Sequence, residues 1–207
     1  MAPDFSRRFR VRSYECDAYG HLNNANYLRY RQATDEARLP TLPLVREGVE
    51  YFRPLEPADD VLVECFDDDV APGYERRTYR FMTDRGEAAK AYAEWAADTF
   101  SDRGDPLAEP PPAPPGEFAI DLPIEWRDVG VDGRVNPATL AALAEHCGIR
   151  VVAAHGWPME RCTKAGFAIV LRRLQVEHIG PAHLEDQIRT RTWVSDPRRS
   201  MITRHYV

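Results

Sequence analysis

The chain has 207 residues, with 27 Lys and Arg against 33 Asp and Glu, a formal net charge of −6 and 43% apolar residues. This length fits one large domain or two small ones, the acidic balance argues against a nucleic-acid partner, and no apolar stretch is long enough to cross a membrane. Cys16, Cys65, Cys147 and Cys162 show neither CxxC pairs nor Cys/His ligand spacing, so no metal or other cofactor is implied. A chain of this size needs no disulfides, which points to reduced thiols and a cytoplasmic location. Arg7, Arg8, Arg10 and Arg12 have no apolar run behind them, so no signal peptide is expected. The pairs Arg172–Arg173 and Arg198–Arg199 read as solvated surface.

In chain order, a strand is expected at Arg8–Tyr14. It leads into a turn that places Asp17 directly ahead of a helix start marked by Asn23 and Asn24. Tyr27, Tyr30 and Thr34 take the inward positions of that helix. Strands are expected at Leu42–Arg53, Val61–Asp67, Glu75–Met82 and Ala89–Phe100. The alanines of the last also suit a helix, but Tyr92, Trp95, Thr99 and Phe100 are bulky β-formers and decide for strand. The run Glu109-Pro-Pro-Pro-Ala-Pro-Pro-Gly116 reads as a semi-rigid linker over residues 105–116. A strand at Ala119–Trp126 and a second turn follow, then a helix with Leu140, Leu143, Cys147 and Val151 at helical spacing. Trp126, Trp157 and Trp193 are expected in the core or on a sheet.

The two sides of the linker match. Val49, Glu50, Pro54 and Asp59 recur at a constant offset as Val176, Glu177, Pro181 and Asp186. Upstream, G20-H-L-N-N-A25 recurs as G133-R-V-N-P-A138, and Glu15 matches Asp128. Two blocks in the same order predict an internal duplication, with units at 1–104 and 117–207. Each unit reads as one helix packed on consecutive antiparallel strands, an α+β class in which a sheet wraps around a helix, the hotdog arrangement. Between the matching blocks, Gly20 and Val49 lie 29 positions apart but Gly133 and Val176 lie 43 apart. Val207 aligns with Arg80, and nothing matches the strand around Trp95. Further residues are therefore expected to complete the second sheet.

A carboxylate facing the amide-rich start of a helix suits attack on a carbonyl. The acid activates water or attacks directly, and helix N–H groups receive the developing negative charge. The segment V-R-S-Y-E-C-D-A-Y-G-H-L-N-N-A-N-Y-L-R-Y from Val11 to Tyr30, with V-E-Y-F-R-P-L downstream, resembles the signature of the hotdog-fold acyl-CoA thioesterases of the 4-hydroxybenzoyl-CoA thioesterase type. The tandem layout is similar to double-hotdog acyl-CoA and acyl-carrier-protein thioesterases. The resemblance implies hydrolysis of an acyl thioester carried on CoA or acyl carrier protein. It assigns Asp17 as base or nucleophile, Gly20 as the turn glycine and the Asn24 backbone N–H as oxyanion donor. His21, Asn23 and Tyr27 fall at motif or pocket positions. Glu145 on the second helix is a further candidate, since some hotdog thioesterases use a helix carboxylate, and Gln32 holds its place in the first helix.

The second unit departs from this pattern: Gly130 replaces Asp17, Arg134 replaces His21, and Pro137, which has no N–H, replaces Asn24. One working site per chain is therefore expected, with the second unit completing the pocket of a pseudo-dimer. Each assignment has a plainer structural counterpart. Asp17 can cap a turn, Asn23 and Asn24 can cap a helix, His21 can serve packing, and Glu145 can be a solvated surface residue. Two other functions share the fold. A hydratase is suggested by Val135-Asn136-Pro137, but no nearby His follows it. A non-catalytic acyl-thioester binding module is suggested by the degenerate second unit.

Overall fold

A computed structural model describes residues 2–97 and 107–207. In chain order its elements are β1 (Phe5–Arg10), α1 (Asn24–Asp35), β2 (Leu44–Tyr51), β3 (Asp60–Ala71), β4 (Tyr74–Thr83), β5 (Gly86–Ala96), β6 (Phe118–Pro123), α2 (Pro137–Ala154), α3 (Met159–Lys164), β7 (Arg173–Glu177), β8 (Gln187–Ser195) and β9 (Thr203–Tyr206). The class is α+β with antiparallel sheets and packed helices, the hotdog arrangement in two units, as expected. One unit is Met1–Leu107 with Leu171–Gly180, and the other is Ala108–Val170 with Pro181–Val207.

The first unit carries a six-stranded sheet in the order β1-β3-β4-β5-β2-β7. The alanine-rich β5 is a central strand, paired on one side with β4 and on the other with β2. Those two ladders outweigh the helix preference of its alanines. Thr99 and Phe100, which helped to identify this strand, lie outside the described residues. Gly48 of β2 faces Tyr92 of β5 in register. A Cβ on Gly48 would meet the Tyr92 ring at 2.5 Å and the Leu174 carbonyl at 2.9 Å, so this close approach requires glycine. The core is Leu28 and Tyr27 of α1 against Val49, Val61, Val63, Tyr79 and Phe81, all buried.

Two expectations are corrected here. Residues 117–207 were assigned to one unit, yet Leu171–Gly180 groups with the first. The cause is the antiparallel pairing of β7 with β2, which sets Val176 opposite Glu47 and Leu174 opposite Val49. Trp126 and Trp157 were expected in the core or on a sheet, but they are 82% and 37% exposed. Trp126 opens a 3-10 turn, and Trp157 lies in the loop after α2, stacked under the Arg161 guanidinium. Trp193, on β8, is buried and donates its indole N–H to the Pro111 carbonyl in the linker.

The second unit carries a three-stranded sheet, β6-β8-β9, with α2 against β6 and β8. Its extra length between the matching blocks becomes structure: α2 has 18 residues where α1 has 12, and α3 adds six more.

Candidate functional site

The site begins where β1 ends. The buried Val11 donates its N–H to the Asp59 carbonyl, which pins the chain to the start of β3. A 3-10 turn at Ser13–Glu15 follows, closed by the Arg12 N–H on the Glu15 carboxylate at 2.7 Å. The expected strand to Tyr14 therefore stops at Arg10, because Glu15 caps the backbone into a turn. The same Glu15 oxygen accepts the Tyr30 hydroxyl at 2.8 Å, and the Glu15 carbonyl accepts the Asn26 side-chain amide at 2.8 Å. A carboxylate and a tyrosine thus tie the turn to the first two turns of α1. Burial, then the hydrogen bond to Glu15 and its charge, hold the Tyr30 phenol far above its ordinary range.

The next residues form a tight loop. The Asp17 N–H bonds the His21 carbonyl at 2.7 Å, and the Gly20 N–H bonds the Asp17 carbonyl at 3.0 Å. Gly20 sits at φ 79°, a left-handed conformation that fits its expected role as turn glycine. The Asp17 Oδ1 accepts two backbone N–H groups, from Tyr19 at 2.8 Å and His21 at 3.2 Å. One carboxylate oxygen therefore braces the loop, and the half-buried side chain has a second oxygen beyond it. Asn23 is the N-cap of α1. Its side chain accepts the Ala25 N–H at 3.0 Å, and its carbonyl accepts the Asn26 N–H at 2.9 Å. Asn24 is the first helical residue, and its carbonyl accepts the Tyr51 hydroxyl at 3.1 Å.

Tyr27 is buried edge-on to the Tyr51 ring at 5.0 Å and tilted against Phe81 at 5.4 Å. Its phenol is held far above the usual range, first by burial and then, against an opposing Leu55 backbone hydrogen bond, by the charges of Asp59 and Asp17. The Asp17 carboxylate also helps raise the Cys16 thiol, where burial is the larger cause. Its field is thus felt by groups on either side of the loop.

Asp17, Gly20, His21, Asn23, Asn24 and Tyr27 therefore share one loop and helix start in the first unit. Glu145 lies half-buried on α2 in the second unit, where its charge acts on Tyr206. Sequence reasoning missed the roles of Glu15, Tyr30 and Tyr51. Glu15 carried a signal, its match to Asp128 in the duplicated block. Tyr51 carried none, because its partner Asn24 lies 27 residues away on another element.

The second unit repeats the backbone bonds of this loop and its asparagine cap. The Gly130 N–H bonds the Arg134 carbonyl at 2.8 Å, the Gly133 N–H bonds the Gly130 carbonyl at 3.0 Å, and Asn136 caps α2 through the Ala138 N–H at 2.9 Å. Glu125 N–H to Asp128 Oδ2 at 2.9 Å repeats the bond from Arg12 to Glu15. Gly133 has φ 74°, beside 79° at Gly20. The brace supplied by Asp17 comes instead from Asp132, whose Oδ1 accepts the Arg134 N–H at 3.1 Å.

Residues 132–206 match the model of the family described as Thioesterase superfamily. No curated protein matches the chain. Among solved structures, a Lactobacillus plantarum protein described as an oleoyl thioesterase superposes with a TM-score of 0.78 at 12% identity, covering 98% of this chain and 89% of its own. The 12:0-ACP thioesterase from Umbellularia californica gives 0.68 at 14% identity, with 95% and 84% covered. An acyl-ACP thioesterase from Bacteroides thetaiotaomicron gives 0.64 at 15% identity, with 94% and 87% covered. At these identities the likeness is one of fold.

Proposed function

We propose that this protein hydrolyses an acyl thioester, carried on CoA or acyl carrier protein, at the loop between β1 and α1. On this reading the chain is a tandem of two related hotdog units, of which the first carries the chemistry. The observation that carries the proposal is the repeated loop. Its backbone bonds form equally well with Gly130 where the first unit has Asp17, so the turn itself does not require an acid at that position. A half-buried carboxylate there, with one oxygen anchored, is then available for chemistry.

Asp17 takes the proton of a water whose oxygen attacks the thioester carbon. The oxyanion faces the start of α1, where the Asn24 N–H is the assigned donor. The carbon–sulfur bond then breaks and the proton goes to the leaving thiolate. An oxyanion donor of this kind lowers the barrier by about 3 kcal/mol. The alternative route, direct attack by Asp17 to form a mixed anhydride, uses the same residues. Gly20 and Asn23 set the loop and helix geometry, Tyr27 supports them from beneath, and His21 completes the loop. The family match over residues 132–206 and the thioesterase fold neighbours support thioester hydrolysis as the reaction.

The test is thiol release from a panel of acyl-CoA and acyl-carrier-protein substrates. Asp17→Asn keeps an oxygen for the Tyr19 and His21 N–H groups but removes the base. It should lower turnover by at least ~10²-fold while leaving the melting temperature near wild type. Full activity in that variant, or no thiol release by the wild type on any substrate, would overturn the proposal.

A further inference from the structure

Comparison of the two loops exposes a difference that thioester chemistry does not use. In the first unit, the Phe9 and Tyr30 rings stack at 4.4 Å, 7° from parallel, and the Tyr30 hydroxyl ends on Glu15. The equivalent positions are fixed by register. Phe9 faces Val61 across β1–β3, and Leu122 faces Ile188 across β6–β8. Tyr30 and Leu143 lie equally far beyond the caps Asn23 and Asn136. Glu15 and Asp128 each close their own 3-10 turn. Two leucines thus replace two stacked aromatic rings while the frame around them is unchanged.

At these positions the second unit carries a groove of about 210 Å³. The half-buried Leu122, Leu143 and Asp128 line its inner part, and the exposed Glu125, Arg127 and His146 form its rim. Arg127 and Glu125 pair with each other at 2.7 Å. Asp128 Oδ2 accepts one backbone N–H, whereas the corresponding Glu15 oxygen accepts an N–H and a phenol. An apolar cavity of about 150 Å³ is enough to take benzene. This groove has room for such a ring but opens to solvent along its charged rim, and it adds a carboxylate acceptor where the first unit's ring carries its hydroxyl.

We infer that the groove between Leu122, Leu143 and Asp128 is a binding site for a small phenol, whose ring takes the place that Tyr30 fills in the first unit and whose hydroxyl donates to Asp128. Asp128 is one methylene shorter than Glu15, so the ligand sits closer to the 3-10 turn than Tyr30 does. The inference is independent of thioester hydrolysis, and its test measures binding alone.

The test titrates the full chain, with ¹³C-labelled leucine methyls, with 4-methylphenol and separately with toluene. The phenol should give saturable shifts at Leu122 and Leu143. Toluene should bind roughly ten-fold more weakly or less well still, because it cannot donate to a charged acceptor. Leu143→Tyr fills the groove from within and should abolish the shifts. Leu122→Phe, which narrows the groove from the strand side, provides the same test if the first variant does not fold. Absence of saturable shifts, equal affinity for toluene, or undiminished binding in a folded groove-filling variant would each overturn the inference.

Discussion

Glu47 anchors a buried charge network in the first unit, and Glu47→Ala tests its contribution directly. Glu47 is fully buried on β2. It pairs with Arg31 of α1, itself 2% exposed, and with His178 Nε2 at 3.0 Å. Arg31 also bonds Asp35 at 3.0 Å, and Asp35 in turn holds Arg77 at 2.9 Å and the Tyr79 hydroxyl at 2.6 Å. Deleting Glu47 leaves a buried guanidinium with one carboxylate shared between two arginines, and leaves His178 without that contact. Removing one member of a buried pair costs about 3–5 kcal/mol. Replacing both members by apolar residues costs much less, and here Arg31→Met with Glu47→Leu still leaves Asp35 bonded to Arg77 and Tyr79. Urea unfolding at pH 7 should therefore show the double variant more stable than Glu47→Ala. Amide exchange should accelerate first in β2 and β7, which His178 helps to clamp. A cost below about 1 kcal/mol for Glu47→Ala, or a double variant at the sum of the two single costs, would refute this account. The pH dependence follows in sign. Burial alone would raise the Glu47 carboxyl, but Arg31 and His178 overcome it and hold the group below its ordinary value. A depressed folded value gives stability that is present above the unfolded value of about 4.3 and is lost as pH falls through the folded one. Glu47→Ala should lack that acid-side loss.

Three further outcomes are expected. Tyr51→Phe removes the hydroxyl that holds the Asn24 carbonyl, so it should lower kcat on a thioester by several-fold, on the scale of a hydrogen bond worth about 1 kcal/mol, with little change in KM; a rise in KM alone would assign Tyr51 to substrate binding. Gly48→Ala should destabilise the first unit by about 1–3 kcal/mol in urea, because the added methyl overlaps the Tyr92 ring and the Leu174 carbonyl. Burial, then the charges of Cys147 and Glu145 against the opposing Arg204, push the Tyr206 phenol up to about 12. A raised folded value gives stability that is complete below about 10 and lost as pH climbs towards about 12, so Tyr206→Phe should flatten the alkaline unfolding of the second unit.

What the sequence revealed follows from the range of the forces involved. The loop, the turn glycine and the two asparagine caps are local, set by contacts within a few residues, and they stand where residue patterning placed them. The first unit's strands and β6 were legible from their residue patterning, and β5 resolved as a strand despite its alanines, whereas β8 and β9 were not read from the sequence. The inward face of α1 was harder to read. Arg31, Thr34 and Asp35 are buried there as fully as Tyr27, so the helix lacks the leucine stripe that normally marks a core-facing side. Beyond the Arg31–Asp35 pair within the helix, its buried charges meet Glu47, Arg77 and Tyr79 on distant strands, and a single sequence does not display those pairings. The placement of β7 was hidden for the same reason. The match between Val49 and Val176 identified equivalent strands, but the pairing of those strands with each other depends on tertiary contacts.

The two loops separate what the backbone needs from what the proposed chemistry needs. Both keep the cap asparagine, the left-handed glycine, the carboxylate that closes the 3-10 turn and the bonds between loop amides and carbonyls. These features recur where each unit turns from its first strand into its helix. Among the side chains that differ are Asp17 against Gly130, His21 against Arg134, Asn24 against Pro137, and Tyr30 against Leu143. Gly130 removes the carboxylate, yet the turn survives because Asp132 takes over one of the bracing bonds. Pro137 gives up an N–H, yet α2 is well capped because proline's fixed φ suits a first helical position. Each loss is therefore structurally inexpensive in the second unit, while it removes a group that the proposed hydrolysis requires. That asymmetry is what a turn retained for folding alone would show beside one also held to a reaction.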